Sequence, residues 1–210
     1  MFKHPRKWLA LAAWALAVGG AGAQDFPTRP VKILVPQTPG GASDALVANA
    51  PADGYTLLMS YVGTHAINGA LYKKLPFDPE KDFAPVATLA TLPFVMVAKA
   101  GAAFKTVPDV TAAARKNPLT YGSAGNGSVN HLVGEMFNTA AGVKLTHVPY
   151  RGAAPAMQDL MGGQINLVFT SLPSVAGAIK NGTLHPIAVT SAKRAASFSN
   201  IPTIAEAGYK

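Results

Sequence analysis

Two glycine-rich segments of the sequence carry the residue types best suited to bind a small anion. One is PQTPGGASDAL at 36–46, and the other is GSAGNGS at 122–128. Each follows an apolar run typical of a strand and precedes a predicted helix. Amides at the start of a helix lack intrahelical partners and carry partial positive charge, so these segments could bind a carboxylate or a phosphate. Ser123, Ser128 and Asn126 could donate further hydrogen bonds to it.

Neither segment fits a standard nucleotide-binding motif. No Gly-Lys-Ser/Thr follows 122–128, which excludes a Walker loop. A dinucleotide motif fits poorly, because no acidic residue lies at a suitable distance downstream. A glycine-rich turn without a ligand is the alternative for one such segment taken alone. Two segments of this kind in one chain favour a binding role.

The sequence offers little support for catalysis or for a bound metal. GASDA at 41–45 loosely resembles the nucleophile elbow of hydrolases, but its last glycine is missing and no histidine–acid pair is evident downstream. His65, His131 and His147 are scattered. The spacing of His131 and Glu135 is more typical of a surface hydrogen bond than of a metal site. We therefore predict a protein that is not an enzyme and holds no cofactor and no metal.

The first 23 residues have the three-part layout of a signal peptide. A basic start is followed by 11 apolar residues, WLALAAWALAV, and then by AGA at 21–23, where a signal peptidase would cut. About 20 apolar residues are needed to span a bilayer, so this run is too short for a membrane helix. We expect residues 1–23 to be removed on export and the mature chain to be soluble in the periplasm.

Net charge and cysteine content narrow the choice of partners. The formal charge of +8 falls to +5 without the three cations of the signal peptide, and no Lys/Arg run is interleaved with aromatic residues. This diffuse basic excess suits an anionic small ligand and argues against nucleic acid. The chain has no cysteine, which excludes disulfides, thiolate chemistry and thiolate metal sites.

Short apolar runs alternate with helical patterns, which predicts an α/β fold with a mainly parallel sheet. We predict strands at 31–36, 55–60, 84–90, 94–99, 119–123, 144–150, 164–170 and 185–191. We predict helices near 44–50, 64–72, 107–116, 128–141, 153–162 and 173–180. The spacing of Thr106 and Asp109 indicates a capping box at the start of one helix. Residues 99–106 are the expected crossover between two lobes.

Long stretches of the sequence are similar to the periplasmic solute receptors of tripartite tricarboxylate transporters, also called Bug-type receptors. These stretches are FPTRPVKILVPQTPGGASD, PADGYTLLMSYVGTHAINGALYKKLPFDPEKDFAPVATLA, YGSAGNGSVNHLVGEMFNTAAGVKLTHVPYRGAAPAMQDLMGGQINLVF and LPSVAGAIKNGTLHPIAVTSAKR. The resemblance implies a two-lobed, type II periplasmic-binding-protein fold. Such a Venus flytrap closes on a small organic carboxylate and delivers it to membrane permease subunits. We expect this protein to be a monomer.

In this family, two loops grip one ligand carboxylate, mostly through backbone amides, hydroxyls and water. The resemblance implies contacts from the first loop, the GTHAIN segment and the second loop, at Gly40, Gly41, Ala42, Ser43, Asp44, Thr64, His65, Ser123, Ala124, Gly125, Asn126, Gly127 and Ser128. Thr170 is a further candidate near the cleft or hinge. The family often has Asp at that position. Because this chain has Thr there, the resemblance does not imply the hydrogen bonds that the Asp side chain would make.

The chain departs from the family pattern in its first lobe. Between Asp44 and Ala45 the pattern has a helix, a strand and a glycine-rich connector, and it also continues beyond IPTIAEAGYK. We therefore expect residues 24–99 and 191–210 to form an incomplete first lobe and residues 100–190 to form an intact second lobe. Two alternatives to a working receptor stay open, namely an inert remnant and a small exported α/β hydrolase.

Overall fold

The computed structural model describes residues 26–35 and 42–209, and over these residues the chain is α/β. The strands are β1 Lys32–Leu34, β2 Thr56–Leu58, β3 Phe94–Lys99, β4 Thr120–Ser123, β5 Thr146–Pro149, β6 Leu167–Ser171 and β7 Leu184–Val189. The helices are α1 Ala42–Ala48, α2 Asn68–Leu71, α3 Val107–Lys116, α4 Val129–Ala141, α5 Ala153–Gly162 and α6 Leu172–Lys180. A π-helical segment, Gly63–Ile67, runs directly into α2. Across the described ranges, no helix combines the length and apolar character needed to cross a bilayer. The predicted signal peptide lies outside those ranges.

Five strands form the main sheet, in the order β5-β4-β6-β3-β7. β4 is parallel to β5 and β6, whereas β3 is antiparallel to both of its neighbours, β6 and β7. Four of the five strands therefore run in one direction, as predicted, and β3 is inserted against them. The units β4-α4-β5 and β5-α5-β6 bring helix starts to one edge of this sheet.

Apolar helix faces cover the main sheet on both sides. Met96, Tyr121 and Phe169 belong to one buried cluster with α3 and α4, while Val97 and Leu160 belong to a second cluster with α5 and α6. Met96 and Val97 enter different clusters because successive side chains of a strand point to opposite faces. β3 and β6 are buried on both faces, so their sequences read as nearly continuous apolar runs without alternation.

Two segments expected in the first lobe belong to the main sheet and its core. β3 pairs with β6 and β7 inside this sheet, so residues 99–106 connect β3 to α3 and do not cross between lobes. The segment 191–209 also packs here, through a bridge between Val189 and Thr203 and through the buried Ile201. Apolar periodicity could not reveal this placement, because it indicates that a strand is buried and not which strands bury it.

The first part of the chain forms a much smaller unit within the described residues. β1 and β2 make a two-stranded parallel sheet, and a sheet of this size is only marginally stable by itself. The predicted strand at 84–90 is wrong: the segment is irregular, because no described strand pairs with it, and Val86 is 79% and Leu89 77% exposed. Other large apolar residues exposed in this part of the chain are Phe26, Ile33, Val35, Leu46, Met59, Tyr61, Val62, Leu71, Tyr72 and Leu92. These features agree with an incomplete first lobe.

Helix ends follow their capping residues closely. The Thr106 hydroxyl accepts from the Asp109 amide at 3.3 Å, and the Asp109 carboxylate accepts from the Thr106 amide at 3.0 Å, which confirms the predicted capping box. Gly142 and Gly163 end α4 and α5 with φ of 58° and 80°, a left-handed conformation that glycine adopts without strain. The predicted bounds of α3 and α5 are confirmed.

The packing of α4 on β4 requires glycine at position 134. A Cβ atom on Gly134 would overlap the ring of Tyr121, which is fully buried. We expect Gly134→Ala to lower the free energy of unfolding by about 1–3 kcal/mol, the usual cost of overpacking a core. Gly177→Ala, in α6 with nothing within 4 Å of the new Cβ, should instead raise it by up to about 1 kcal/mol. Urea unfolding measures both variants, and equal effects would contradict the packing argument.

Candidate functional site

Three helices begin at one edge of the main sheet, where β5, β4 and β6 end. β4 leads through residues 124–128 into α4, β5 leads through residues 150–152 into α5, and β6 leads directly into α6. Because the three strands are parallel neighbours, the three helix starts lie side by side. This edge joins the second predicted loop to the positive ends of helix dipoles, an arrangement that favours a bound anion.

Glycine is required at two positions of the loop 124–128. Gly125 has φ 122° and Gly127 has φ 75°, values that residues with a side chain rarely adopt. A Cβ atom on Gly125 would also lie 3.3 Å from the carbonyl oxygen of Tyr150, so the loop lies against the end of β5. On the other side, Cδ1 of Leu71 is 2.5 Å from the position of a Cβ on Gly127. The loop is therefore held between β5 and α2.

The two serine hydroxyls expected to contact a ligand are bonded within the loop. The Ser128 hydroxyl donates to the Gly125 carbonyl at 2.7 Å and accepts from the His131 amide at 3.3 Å, which caps α4. Ser123 is fully buried, and its Oγ accepts from the Gly125 amide at 3.0 Å. Both side chains shape the loop, and their contact with a ligand stays a prediction.

Backbone amides are the donors that the loop leaves open. The amides of Gly125 and Gly127 donate to side chains of the same region. In the described part of the chain, the amides of Asn126, Val129 and Asn130 donate to no protein acceptor. The amide of Ala124 likewise donates to no protein acceptor among the described residues, so four open donors lie in the loop and at the start of α4.

Two histidines lie directly against this loop. His131 and His147 are stacked with their ring centroids 4.0 Å apart. Nε2 of His147 is 2.6 Å from Oγ of Ser123, and Nδ1 of His131 accepts from the Gly127 amide at 3.1 Å. The expectation that the histidines are scattered is wrong for this pair. The pairing of β4 with β5 and the position of His131 in the first turn of α4 bring the rings together. The local sequence indicated only that His131 lies in the first turn of a helix, because Ser128, three positions earlier, is a capping residue.

Burial controls the ionisation of the side chains around the pair. It lowers the pKa of His147 below the ordinary value, and the neighbouring His131 lowers it further, while Glu135 acts in the opposite direction. Burial also raises the pKa of Tyr121, whose hydroxyl donates to Glu135 at 2.6 Å. His147 is therefore uncharged at neutral pH.

Ser123 and His147 resemble the serine nucleophile and histidine base of a hydrolase, but the serine hydroxyl is not accessible to a substrate. Ser123 is fully buried, and its Oγ already bonds to Gly125 of the overlying loop. A substrate carbonyl could not reach that oxygen without displacement of the loop. Over the residues that the structure describes, no group of three or more potential metal ligands is present. The site is suited to hold an anion.

The first predicted loop lies only partly within the described residues. Gly40 and Gly41 fall outside them. Ala42, Ser43 and Asp44 form the first turn of α1, and Asp44 is fully buried. Contact between this turn and a ligand stays a prediction.

Thr64 and His65 lie in the π-helical segment that precedes α2. The His65 ring packs edge-on against Phe83 with 4.9 Å between centroids, and its Nδ1 donates to the carbonyl of Pro79 at 2.9 Å. His65 thus anchors this segment to residues 79–83. Thr170 is buried in β6, one residue before that strand ends. Ligand contact at these positions stays a prediction.

Two surface depressions lie away from the loop 124–128. One of about 550 Å³ is lined by residues between 69 and 79. The other, of about 360 Å³, is lined by residues 99–104 and 163–166. Neither contains a residue of the loop. In this conformation neither depression coincides with the open donors.

The comparisons with known proteins agree on one family. The chain matches the tripartite tricarboxylate transporter family receptor over residues 33–210. It is 34% identical over 239 residues to a UPF0065 protein in the tcbD-tcbE intergenic region of Pseudomonas sp. strain P51, covering 96% of this chain and 71% of that protein. Among solved structures it is similar to R. palustris Rpa4515 with adipate, with 36% identity, a TM-score of 0.78, and coverage of 88% of this chain and 73% of that one. It is also similar to MatC from Rhodopseudomonas palustris with bound malate, with 27% identity, a TM-score of 0.72, and coverage of 88% of this chain and 74% of that one.

Several curated relatives are longer than this chain. Three of them are covered over 71%, 65% and 69% of their length. The alignment with the Pseudomonas protein extends over 239 residues, although this chain has 210. That relative therefore has internal positions without a counterpart here, which supports an internal deletion.

The lowered pKa of His147 makes the stability of the protein depend on pH. Below about pH 6.5 the unfolded chain binds a proton at this imidazole. The folded chain binds it only at lower pH, because burial lowers the pKa of His147. The free energy of unfolding should therefore decrease as the pH falls from about 7.5 to about 5.5. His147→Gln should flatten this dependence in urea unfolding, and His185→Gln, at the opposite end of the sheet, should not. A slope that His147→Gln leaves unchanged would contradict this expectation.

Proposed function

The chain belongs to the tripartite tricarboxylate transporter receptor family, and from this membership we propose that it is a periplasmic receptor for a small organic carboxylate. It would present the ligand to the membrane permease subunits of such a transporter and act as a monomer. The signal-peptide pattern of residues 1–23 supports export. The proposal includes no chemical reaction, since the family is one of receptors.

The open amides at the start of α4 carry the proposal. The amides of Asn126, Val129 and Asn130 have no protein acceptor within the described residues, and the dipole of a 13-residue helix adds partial positive charge there. Residues 122–134 contain no Lys, Arg, Asp or Glu, so this loop would hold a carboxylate by hydrogen bonds and not by an ion pair. Two structural relatives hold adipate and malate, which are small dicarboxylates.

The other predicted contacts complete the proposed grip. In this proposal, one carboxylate lies between the second loop, residues 123–128, and the first-lobe residues 40–44 and 64–65. Thr170 is a further candidate, in β6 one residue before that strand ends. These segments contain no Lys or Arg. Selectivity among carboxylates would therefore come from groups that surround the rest of the ligand.

Two alternatives make different predictions. A hydrolase needs an accessible nucleophile, and the buried Ser123 next to His147 is not accessible. An inert remnant would bind nothing, and the exposed apolar residues of the first part of the chain are the observation that favours it. Binding without turnover distinguishes a receptor from both.

Binding of dicarboxylates by the purified chain tests the proposal. Isothermal titration calorimetry should show one site for malate or adipate and none for the dimethyl esters, which lack the negative charges. NMR spectra of the ligand after incubation should show no conversion. Gly125→Ala should weaken binding about tenfold or more, because φ 122° strains a residue with a side chain and the new Cβ crowds the carbonyl of Tyr150.

Gly142→Ala is the matched control for this substitution. Gly142 also has a positive φ, 58°, but it lies at the other end of α4 and has nothing within 4 Å of the new Cβ. It should lower stability and leave the affinity unchanged. A folded chain that binds no carboxylate would reject the receptor in favour of the remnant. Hydrolysis of the esters would favour the hydrolase.

A further inference from the structure

The hydrogen bond from the Gly127 amide to His131 assigns this histidine a part in shaping the loop. We propose that His131, supported by His147, is a positioning residue that holds the loop 124–128 in its anion-binding shape only while its imidazole is uncharged. The affinity for a carboxylate then falls as the pH falls below neutral. This inference rests on the proposed function for its ligand, whereas its geometry stands independently.

The bond to Gly127 requires a bare nitrogen on the His131 ring. The Gly127 amide donates to Nδ1 at 3.1 Å, and a ring nitrogen that carries a hydrogen cannot accept. Protonation places hydrogens on both ring nitrogens, so the amide hydrogen and the Nδ1 hydrogen would oppose each other. Either the ring or the loop must then move. Because glycine has no side chain, the backbone at Gly127, now at φ 75°, can adopt another conformation at little cost.

The two imidazoles fix the loop at two glycines. His131 holds Gly127 directly, and His147 holds Gly125 through the hydroxyl oxygen of a buried serine. Asn126, with its open amide, lies between these two glycines. The direction of an amide proposed to bind the ligand therefore depends on both ring contacts.

The charged and titratable groups around the pair come from three elements. Glu135, on α4, accepts from the hydroxyl of Tyr121 on β4, and its charge favours a proton on His147. His147, on β5, stacks on His131 at 4.0 Å and disfavours a second positive charge. Tyr121 stacks on His147 at 5.1 Å and stays uncharged, because burial raises its pKa. A positive charge on one ring therefore disfavours a second positive charge on its neighbour.

A direct charge effect would have the opposite sign. A positively charged imidazole close to the site attracts a carboxylate, which would raise the affinity as the pH falls. Loss of the bond to Gly127 turns the open amide of Asn126 away from the ligand, which lowers the affinity. The sign of the pH dependence therefore separates a positioning role from simple attraction.

Malate affinity measured by calorimetry from about pH 8 to about pH 5.5 tests the inference. Wild-type protein should bind about tenfold more weakly at the acidic end, since one linked proton changes affinity by up to about tenfold per pH unit. His131→Asn supplies an amide oxygen that accepts but does not titrate, so its affinity should not share this decrease. His131→Leu, without an acceptor, should bind more weakly than His131→Asn at every pH. His185→Asn, at the opposite end of the sheet, is the control and should keep the wild-type profile.

Protonation of malate itself affects the measured affinity of all four proteins alike. Differences between their pH profiles therefore report protonation of the protein. Circular dichroism at each pH establishes that the chains are folded. An affinity that rises toward acidic pH, or a decrease of equal size in His131→Asn, would overturn the inference.

The ligand-free protein provides a second readout. The ¹⁵N chemical shift of the Gly127 amide should follow the titration of the His131 ring in the wild type and stay constant in His131→Asn. If no carboxylate binds at any pH, the proposed function fails and this shift alone decides the inference. A Gly127 shift that does not follow the ring would overturn it.

Discussion

The close approach of α4 to β4 is the constraint on which the candidate site depends. It is possible because Gly134 has no side chain where the helix crosses the buried ring of Tyr121. The Tyr121 hydroxyl then bonds to Glu135 and to the carbonyl of His131, which fixes the first turns of the helix relative to the sheet. With the helix in this position, the ring of His131 reaches the Gly127 amide. A helix held further from the sheet would lose this bond and with it the shape of the loop.

The groups proposed to bind the ligand and the incomplete unit lie in different parts of the chain. The loop 124–128, its capping serine and the two imidazoles all belong to the main sheet and its helices, whose core is closed on both faces. The smaller unit reaches the loop through Leu71. A ligand site normally buries most of the ligand surface, so donors from one side alone would leave a carboxylate half solvated. Completeness of the first lobe therefore bears on affinity more than on the shape of the loop.

Local features of this fold could be predicted from the sequence, and long-range pairings could not. Thr106 with Asp109 and the glycine at 163 mark helix ends, because a cap is formed by residues close in sequence. The apolar run 84–90 has the local preference of a strand, but a strand also needs a partner, and none of the described strands pairs with it. The contact between His131 and His147 depends on the pairing of β4 with β5, which no local pattern specifies. The glycine-rich loop was recognisable in sequence, whereas the internal use of its serine hydroxyls was not.

The central position of β3 has a consequence for the order of folding. Its six residues pair with β6 and β7, which lie some 70 to 90 residues later in the chain. Contacts of such high sequence separation are slow to form, because the chain loses the entropy of closing a long loop before strand pairing contributes any favourable free energy. Until residue 189 is available, a strand built to be buried on both faces stays exposed in the unfinished polypeptide. Folding of this sheet should therefore be slow, and the apolar strand is open to aggregation until its partner strands have been made.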